Sequence, residues 1–173
     1  AYARKKAFVP KLEHNDRLAE IVGFDVSAFA ASVSTINLAS QDLSSDANYP
    51  QVAASSFFRV TPEKPFITLP DAGNHEQARL VPPLTAVVCN PPYIRFDLIG
   101  DARLTEANAS YRIDAPHRSQ LRHRFNYHLF FWYHAARFLA PQGRMAFITS
   151  GEWYDSDYGV QLQSWLLDNF HVE

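Results

Sequence analysis

Short apolar stretches alternate with polar segments along the chain, and their order predicts alternating strands and helices. The predicted strands are Glu20–Asp25, Phe66–Leu69, Thr85–Cys89 and Arg144–Thr149, and the predicted helices are Ala28–Leu38, residues 127–138 and Val160–Phe170. Residues 53–60 suit a strand or a short helix, and residues 40–50, 73–83 and 94–124 are predicted as polar connections. This alternation predicts an α/β fold with a mostly parallel sheet and flanking helices.

The Thr85–Cys89 strand ends abruptly at Asn90, because Pro91 and Pro92 remove backbone donors and fix φ at about −65°. Tyr93 completes an Asn-Pro-Pro-Tyr corner at the carboxyl end of this strand. In open α/β sheets ligands bind at that end of the strands. A proline-rich turn after a core strand is the alternative interpretation.

The corner suits one kind of chemistry. The exocyclic amine of an aromatic base is a poor nucleophile, because its lone pair is delocalised into the ring. The Asn90 side-chain oxygen and the Pro91 carbonyl oxygen would accept its two N–H hydrogens and localise that pair. The ring of Tyr93 offers a flat face for stacking a base taken out of a duplex.

Composition narrows the class of protein. The chain has 173 residues, 47% of them hydrophobic, which is enough for one sizeable core. Its net charge of −2 means that any nucleic-acid surface must be local. The single cysteine, Cys89, excludes a disulfide framework and a multi-cysteine zinc site. No apolar run approaches the roughly 18 residues of a membrane span, and a cytoplasmic protein is expected.

Two acidic residues follow predicted strands. Asp25 precedes Ser27, a predicted N-cap, and in dinucleotide-type folds an acid at this place accepts hydrogen bonds from ribose hydroxyls. A helix-capping carboxylate is the alternative for Asp25. Asp71 follows Pro70, where an aspartate is also favoured simply by the turn.

A basic segment lies at the end of the long connection and predicts contact with phosphates, with a solvated charged loop as the alternative. Its arginines are Arg112, Arg118, Arg122 and Arg124. The nearby histidines lack the spacing of a metal site and are predicted to be surface or pairing residues: His117, His123, His128 and His134.

Aromatic residues at helical spacing predict a buried helix face rather than a base-stacking platform. They are Tyr127, Phe130, Phe131, His134 and Phe138. Trp153 and Tyr154 follow the last predicted strand and are expected to pack under their loop, with a place at the border of the base pocket as the alternative.

The Asn-Pro-Pro-Tyr motif resembles the catalytic motif of amino-group methyltransferases that use S-adenosylmethionine, above all the N6-adenine DNA methyltransferases of restriction–modification systems. Ile21–Ser27 resembles their second cofactor motif, and the resemblance runs from about Glu20 to Phe170. It implies a Rossmann-like class I fold that acts on double-stranded DNA with the target base flipped. The implied catalytic residues are Asn90, Pro91, Pro92 and Tyr93, and the implied contacts to S-adenosylmethionine are Asp25, Val26 and Asp71.

The glycine-rich first motif of this family is not formed by any of the six glycines. Its strand is expected before Ala1, between the Ile21 and Val87 strands, and a target-recognition domain is expected in the parent protein or another chain. Residues 1–173 are thus predicted to be one partial catalytic domain. Its parts are a cofactor half at about 1–75, the corner 85–93, a loop 94–124 and a helix–strand–helix segment 125–173.

Two alternatives stay open. Related enzymes with the same motif methylate RNA bases or a protein glutamine amide. A non-catalytic fragment that binds nucleic acid within a larger restriction–modification protein is the other.

Overall fold

A computed structural model describes residues 1–45, 48–71, 73–114 and 126–173; for Phe96, residues 110–114, Asp157 and Tyr158 it describes the backbone alone. The helices are α1 Tyr2–Phe8, α2 His14–Ala19, α3 Ala28–Ala39, α4 Asp101–Asp114, α5 His128–Ala136 and α6 Asp157–Asn169. The strands are β1 Val22–Asp25, β2 Gln51–Ala54, β3 Pro65–Pro70, β4 Glu76–Leu80, β5 Leu84–Cys89 and β6 Leu139–Phe147. They form two compact units, unit 1 (Ala1–Pro82) and unit 2 (Pro83–Glu173).

In unit 1, β1 pairs in parallel with β2, from Val22 opposite Gln51 to Asp25 opposite Ala54. The predicted cap of α3 is confirmed, because the Ser27 hydroxyl oxygen accepts a hydrogen bond from the Ala30 N–H. This cap and the parallel pairing produce the predicted strand–turn–helix order at the carboxyl end of β1.

The hairpin β3–β4 was not predicted, since residues 73–83 were expected to be a polar connection. Its strands pair antiparallel, from Pro65 opposite Leu80 to Pro70 opposite Glu76. Most β4 side chains are exposed, so the strand carries no apolar alternation that a sequence pattern would reveal. Backbone pairing with β3, and not burial, makes this segment a strand.

In unit 2, β5 pairs in parallel with β6, from Ala86 opposite Arg144 to Cys89 opposite Phe147. The start of β6 was predicted as a turn, and it contains an irregularity, because Leu84 pairs with Leu139 before the register shifts. Gly143 lies in this irregular part. A Cβ there would lie 2.9 Å from the carbonyl oxygens of Ala140 and Leu84, so the close approach requires glycine.

Helix α4 lies within the segment that was predicted as a loop. Its sequence is polar, and among its described side chains Ala107 alone is fully buried. A helix with so narrow a buried face has no apolar stripe from which it could be predicted. Helix α4 contacts α5, and this tertiary contact is not visible in the periodicity of the sequence.

The predicted α/β class is confirmed. The described strands form three two-stranded sheets, β1–β2 and β5–β6 parallel and β3–β4 antiparallel. The Ile21 and Val87 strands thus lie in different sheets of the described part. Among the described residues no helix is both long and apolar enough to cross a membrane.

Candidate active site

The Asn-Pro-Pro-Tyr corner follows β5 directly and contains no helix or strand of its own. Pro91 is fully buried, whereas Asn90 and Pro92 are exposed and Tyr93 keeps 52% of its surface accessible. A buried proline with a fixed φ holds the backbone in one conformation. The Asn90 amide and the Tyr93 ring are therefore presented to solvent from a rigid support.

The Tyr93 hydroxyl joins the corner to the end of β6. Its oxygen lies 3.0 Å from Asn90 Oδ1 and 2.6 Å from the Ile148 carbonyl oxygen. Ile148 follows β6, and its N–H donates to the Cys89 carbonyl at 3.0 Å, one residue beyond the last strand pair. The carboxyl ends of β5 and β6 thus meet at one site, as expected for parallel neighbours.

His128 lies beside Tyr93 at the start of α5. The two rings meet edge to face, with centroids 6.1 Å apart and planes at 71°, and the Tyr127 N–H donates to the Ile94 carbonyl at 3.1 Å. His128 is 1% exposed, and neither ring nitrogen has a hydrogen-bond partner among the described residues. Burial lowers the pKa of His128, although the charge of Glu152 opposes it, so the imidazole is neutral at pH 7.

The prediction that these histidines lie on the surface or in pairs is wrong for His128, because its ring is buried and neither of its nitrogens has a described hydrogen-bond partner. His134 is buried too, at 0% exposure, but it is paired as predicted, since its Nδ1 lies 3.4 Å from Arg137 Nη1. His117 and His123 lie outside the described residues. The sequence did carry a signal, since His128 stands three and four residues before Phe131 and Trp132 on the apolar helix. A polar residue on such a face is a candidate for a buried role.

The loop after β6 contains a stacked pair of aromatic rings. Trp153 is 5% exposed, and its indole N–H donates to the Thr149 hydroxyl at 3.2 Å. Tyr154 stacks on it at 4.2 Å and is 64% exposed. Packing under the loop is confirmed for Trp153, whereas Tyr154 lies on the surface.

The aromatic helix face is confirmed as core. Four of its five predicted members are less than a tenth exposed: Tyr127, Phe130, His134 and Phe138. Trp132 adds to this packing, because it stacks on Phe147 of β6 with centroids 4.0 Å apart. Helix α5 thus supports β6 directly beside the corner.

Comparison with known proteins identifies the family that carries this corner. The family model of the Eco57I restriction-modification methylases matches residues 83–173, more than half of the chain and all of unit 2. The chain belongs to this family. A curated relative, the Type II methyltransferase M.XamI of Xanthomonas campestris pv. amaranthicola, is 40% identical over 89 residues. The match covers 49% of the chain and 16% of the relative, so the similarity spans a small part of the relative's length.

Asp25 and Val26 belong to unit 1, outside the part matched by the Eco57I family model. Asp25 ends β1, and its Oδ1 accepts a hydrogen bond from the Ser27 N–H at 2.7 Å. Its other carboxylate oxygen has no partner among the described residues. Val26 is 69% exposed. The carboxylate therefore supports the start of α3 and still has an acceptor available.

Asp71 holds the turn of the β3–β4 hairpin. Its Oδ1 accepts from the N–H groups of Gly73 and His75 at 2.8 and 3.0 Å, and its Oδ2 accepts from Gln77 Nε2 at 2.9 Å. These bonds, that from His75 N–H first, lower the pKa of Asp71. The turn role expected for an aspartate after proline is therefore present.

An open cavity of about 450 Å³ lies within unit 1. Asp71 borders it together with Asp16, Tyr49 and Arg79, whereas Asp25 and Val26 do not. The structure therefore does not bring the three predicted cofactor contacts together in this cavity.

The basic segment is described only at its beginning. Arg112 lies in the last turn of α4, and its side chain is not described. Arg118, Arg122 and Arg124 lie outside the described residues. Phosphate contact by these four arginines stays a prediction.

Cys89 lies next to Asn90 but is unsuited to nucleophilic chemistry. Burial raises the pKa of its thiol to about 11, so the sulfur keeps its proton at neutral pH. Within the described ranges, no three His, Cys, Asp or Glu side chains are grouped as a metal site would need. The amide and ring of the corner are thus the groups best placed for chemistry in unit 2.

Proposed function

We propose that this chain provides the catalytic corner of a DNA adenine-N6 methyltransferase of the restriction–modification type. The enzyme transfers a methyl group from S-adenosylmethionine to the exocyclic amine of an adenine turned out of double-stranded DNA. The observation that carries the proposal is the Asn90–Tyr93 corner, whose amide and ring are exposed at the carboxyl end of β5. Membership of the Eco57I family supports DNA as substrate over RNA or a protein amide.

The amine is activated by two oxygen acceptors. Asn90 Oδ1 and the Pro91 carbonyl oxygen each accept one N–H of the target amine, which draws its lone pair out of the ring system. Pro91 brings no N–H that would compete, and its carbonyl oxygen, buried with the rest of the residue in this structure, has to become accessible when the base enters. After the nitrogen has formed its bond to the methyl carbon and the carbon–sulfur bond has broken, one of the two held hydrogens passes as a proton to solvent water beside the exposed Asn90 amide. Such acceptors act most strongly where charge develops, in the transition state.

The ring of Tyr93 positions the base. An aromatic face that is about half exposed can stack against an adenine, which replaces part of the stacking lost when the base leaves the duplex. His128 packs against this ring in an edge-to-face contact and keeps it in place. By holding the Tyr93 ring, His128 limits the movement of the base that stacks on it.

S-adenosylmethionine, when bound, supplies the methyl group as an electrophile on a sulfonium sulfur. The residues of unit 1 fit a role in holding it. Asp25 has an exposed carboxylate with an oxygen free for a ribose hydroxyl, and Val26 offers exposed apolar surface to an adenine ring. Asp71 has fewer acceptors to offer, since its hairpin turn already uses both oxygens.

The proposal includes a class I, Rossmann-like catalytic domain. Two features support it, the parallel pairs β1–β2 and β5–β6 and the strand–acid–helix order around Asp25. The glycine-rich cofactor motif, its strand and the target-recognition domain are then supplied by the parent protein or another chain. An enzyme that modifies cellular DNA works where that DNA is, so the proposal places it in the cytoplasm.

Replacement of Asn90 by Ala in the full-length protein tests this function. Methyl transfer from tritiated cofactor to adenine-containing DNA should fall about a hundredfold or more, since an acceptor that acts in the transition state contributes on the order of 3 kcal/mol. Asn37→Ala, an exposed asparagine of α3, is the matched control and should leave transfer unchanged. Unchanged turnover in Asn90→Ala would contradict the mechanism. Methyl groups found on RNA, on protein or on cytosine instead of adenine N6 would contradict the proposed substrate.

A further inference from the structure

The Tyr93 hydroxyl lies between two oxygen atoms and has one hydrogen to donate. The Ile148 carbonyl oxygen is 2.6 Å away and Asn90 Oδ1 is 3.0 Å away. An O–H···O bond is most often about 2.7–2.8 Å long, so the shorter contact to Ile148 is the better place for the hydrogen. Among the described residues no other donor reaches the Ile148 carbonyl. The hydroxyl oxygen is then left with lone pairs on the side of Asn90.

A hydroxyl oxygen that has already given its hydrogen to Ile148 can accept a hydrogen bond on its other side. The Asn90 amide can supply one, because a half-turn about χ2 exchanges Oδ1 and Nδ2 within nearly the same shape. With Nδ2 donating to the Tyr93 oxygen, Oδ1 points to the opposite side of the amide. In the other orientation two oxygens share one hydrogen, which satisfies one of them at most.

The orientation of this amide decides whether Asn90 can act on an amine. An amine donates through its N–H groups, so it needs Oδ1, whereas Nδ2 would set two donors against each other. We propose that the Tyr93 hydroxyl, held by the Ile148 carbonyl, is a positioning group that turns the Asn90 amide so that Oδ1 faces the target amine. The inference rests on the proposed function and assigns the hydroxyl a task separate from stacking by the ring.

This arrangement couples the corner to β6. Ile148 is held by its own N–H bond to the Cys89 carbonyl, so its carbonyl is fixed relative to β5. The chain of bonds therefore runs from strand pairing through Ile148 and Tyr93 to the amide of Asn90. Without the Tyr93 hydroxyl, nothing in this chain of bonds sets the orientation of the Asn90 amide, while the Tyr93 ring and its packing against His128 remain.

The test is Tyr93→Phe in the full-length protein, measured by single-turnover methyl transfer to duplex DNA. We expect the transfer rate to fall about tenfold, the effect of one lost hydrogen bond of ordinary strength. The dissociation constant for DNA and the fluorescence of 2-aminopurine at the target position should stay at wild-type values, since the stacking ring is intact. Tyr154→Phe is the matched control, an exposed tyrosine of the same unit, and should change none of these.

A double-mutant cycle shows whether the hydroxyl acts through Asn90. In an Asn90→Ala background there is no amide to orient, so adding Tyr93→Phe should cause no further loss. In an Asn90→Asp background both carboxylate oxygens of residue 90 are acceptors, so its orientation no longer matters. Adding Tyr93→Phe should then change the transfer rate little or not at all.

Two results would overturn the inference. One is a wild-type transfer rate for Tyr93→Phe while Asn90→Ala is slow. The other is a loss from Tyr93→Phe that is as large in the Asn90→Ala background as in the wild type. Failure of the proposed function looks different, because Asn90→Ala itself would then methylate adenine at the wild-type rate.

Discussion

The two units of this chain hold their candidate functional residues in different ways. In unit 2, Tyr93 bonds to a carbonyl 55 residues away, so the corner depends on the pairing of β5 with β6. In unit 1, Asp25 bonds to the N–H two residues later, and Asp71 bonds within its own hairpin. A long-range contact builds a site from distant segments, whereas a local bond is equally consistent with a turn. The geometry therefore supports the role of the corner more strongly than that of the two acids.

Similarity to known proteins follows the same division. The Eco57I family model covers residues 83–173, which is unit 2, and unit 1 lies outside the match. The roles of Asp25, Val26 and Asp71 depend on a resemblance of motifs and on their places after strands. Substitutions in one unit that leave the other unchanged therefore test the family match of unit 2 and the motif resemblance of unit 1 separately.

The largest difference between variants of the two units is expected in DNA binding. Replacement of Arg118, Arg122 and Arg124 by Ala in the full-length protein should weaken binding across all sequences. If each contacts one phosphate, the slope of log affinity against log salt falls in magnitude by about 2.7, or about 0.9 per contact. Binding titrations at several salt concentrations measure this slope.

Unit 1 offers a control of equal charge. Arg4, Lys6 and Lys11 are exposed, and their replacement by Ala removes the same three positive charges. We expect the salt slope of this variant to match the wild type. A reduced slope here, with a normal slope in the arginine variant, would place the DNA contact in unit 1 instead.

A smaller effect is expected from Asp25→Asn, which separates a turn residue from a cofactor contact. Asparagine keeps an oxygen for the Ser27 N–H, so the local turn survives. A charged acceptor for a ribose hydroxyl is lost, and the dissociation constant for S-adenosylmethionine should rise about tenfold. Equilibrium dialysis or calorimetry on the full-length protein measures this constant.

Asp42 is the matched control, because its Oδ1 also accepts from a serine N–H two residues later, that of Ser44. Asp42→Asn should leave cofactor binding unchanged. Wild-type affinity in Asp25→Asn would show that Asp25 serves the turn alone.

The smallest effect concerns stability and the buried ring of His128. Burial lowers its pKa below the ordinary 6.5, so the unfolded chain takes up a proton that the folded one resists. The free energy of unfolding should not depend on this residue above about pH 6.5 and should fall as the pH drops below it, levelling off under the folded pKa. The slope is at most about 1.4 kcal/mol per pH unit, the value for one proton.

Urea denaturation of wild type and His128→Phe between pH 5 and 8 measures this dependence, because phenylalanine fills the same space without titrating. As the pH falls, the wild type should lose stability relative to His128→Phe. His171→Phe, at an exposed position, is the control for the introduction of a phenylalanine in place of a histidine. A difference that is constant with pH would mean that His128 is protonated equally in both states.

Much of this chain could be predicted from local sequence. The strand Thr85–Cys89 is short, apolar and ended by two prolines, and the structure places β5 at Leu84–Cys89. The aromatic stripe of α5 and the capped start of α3 were also correctly predicted, because helical spacing and capping are properties of neighbouring residues. The exposed amide and ring of the corner follow from the same local features.

The tertiary structure alone decided the rest. Helix α4 and strand β4 are polar segments whose sequences show no apolar period. Helix α4 contacts α5, and β4 pairs with β3. The burial of His128 and the bond from Tyr93 to Ile148 join residues that the sequence keeps apart. Local patterns report which faces of a segment are apolar, but the partner of a single hydroxyl depends on where a distant strand ends. For this reason the motif predicted the residues of the corner, and only the fold showed what the Tyr93 hydroxyl contacts.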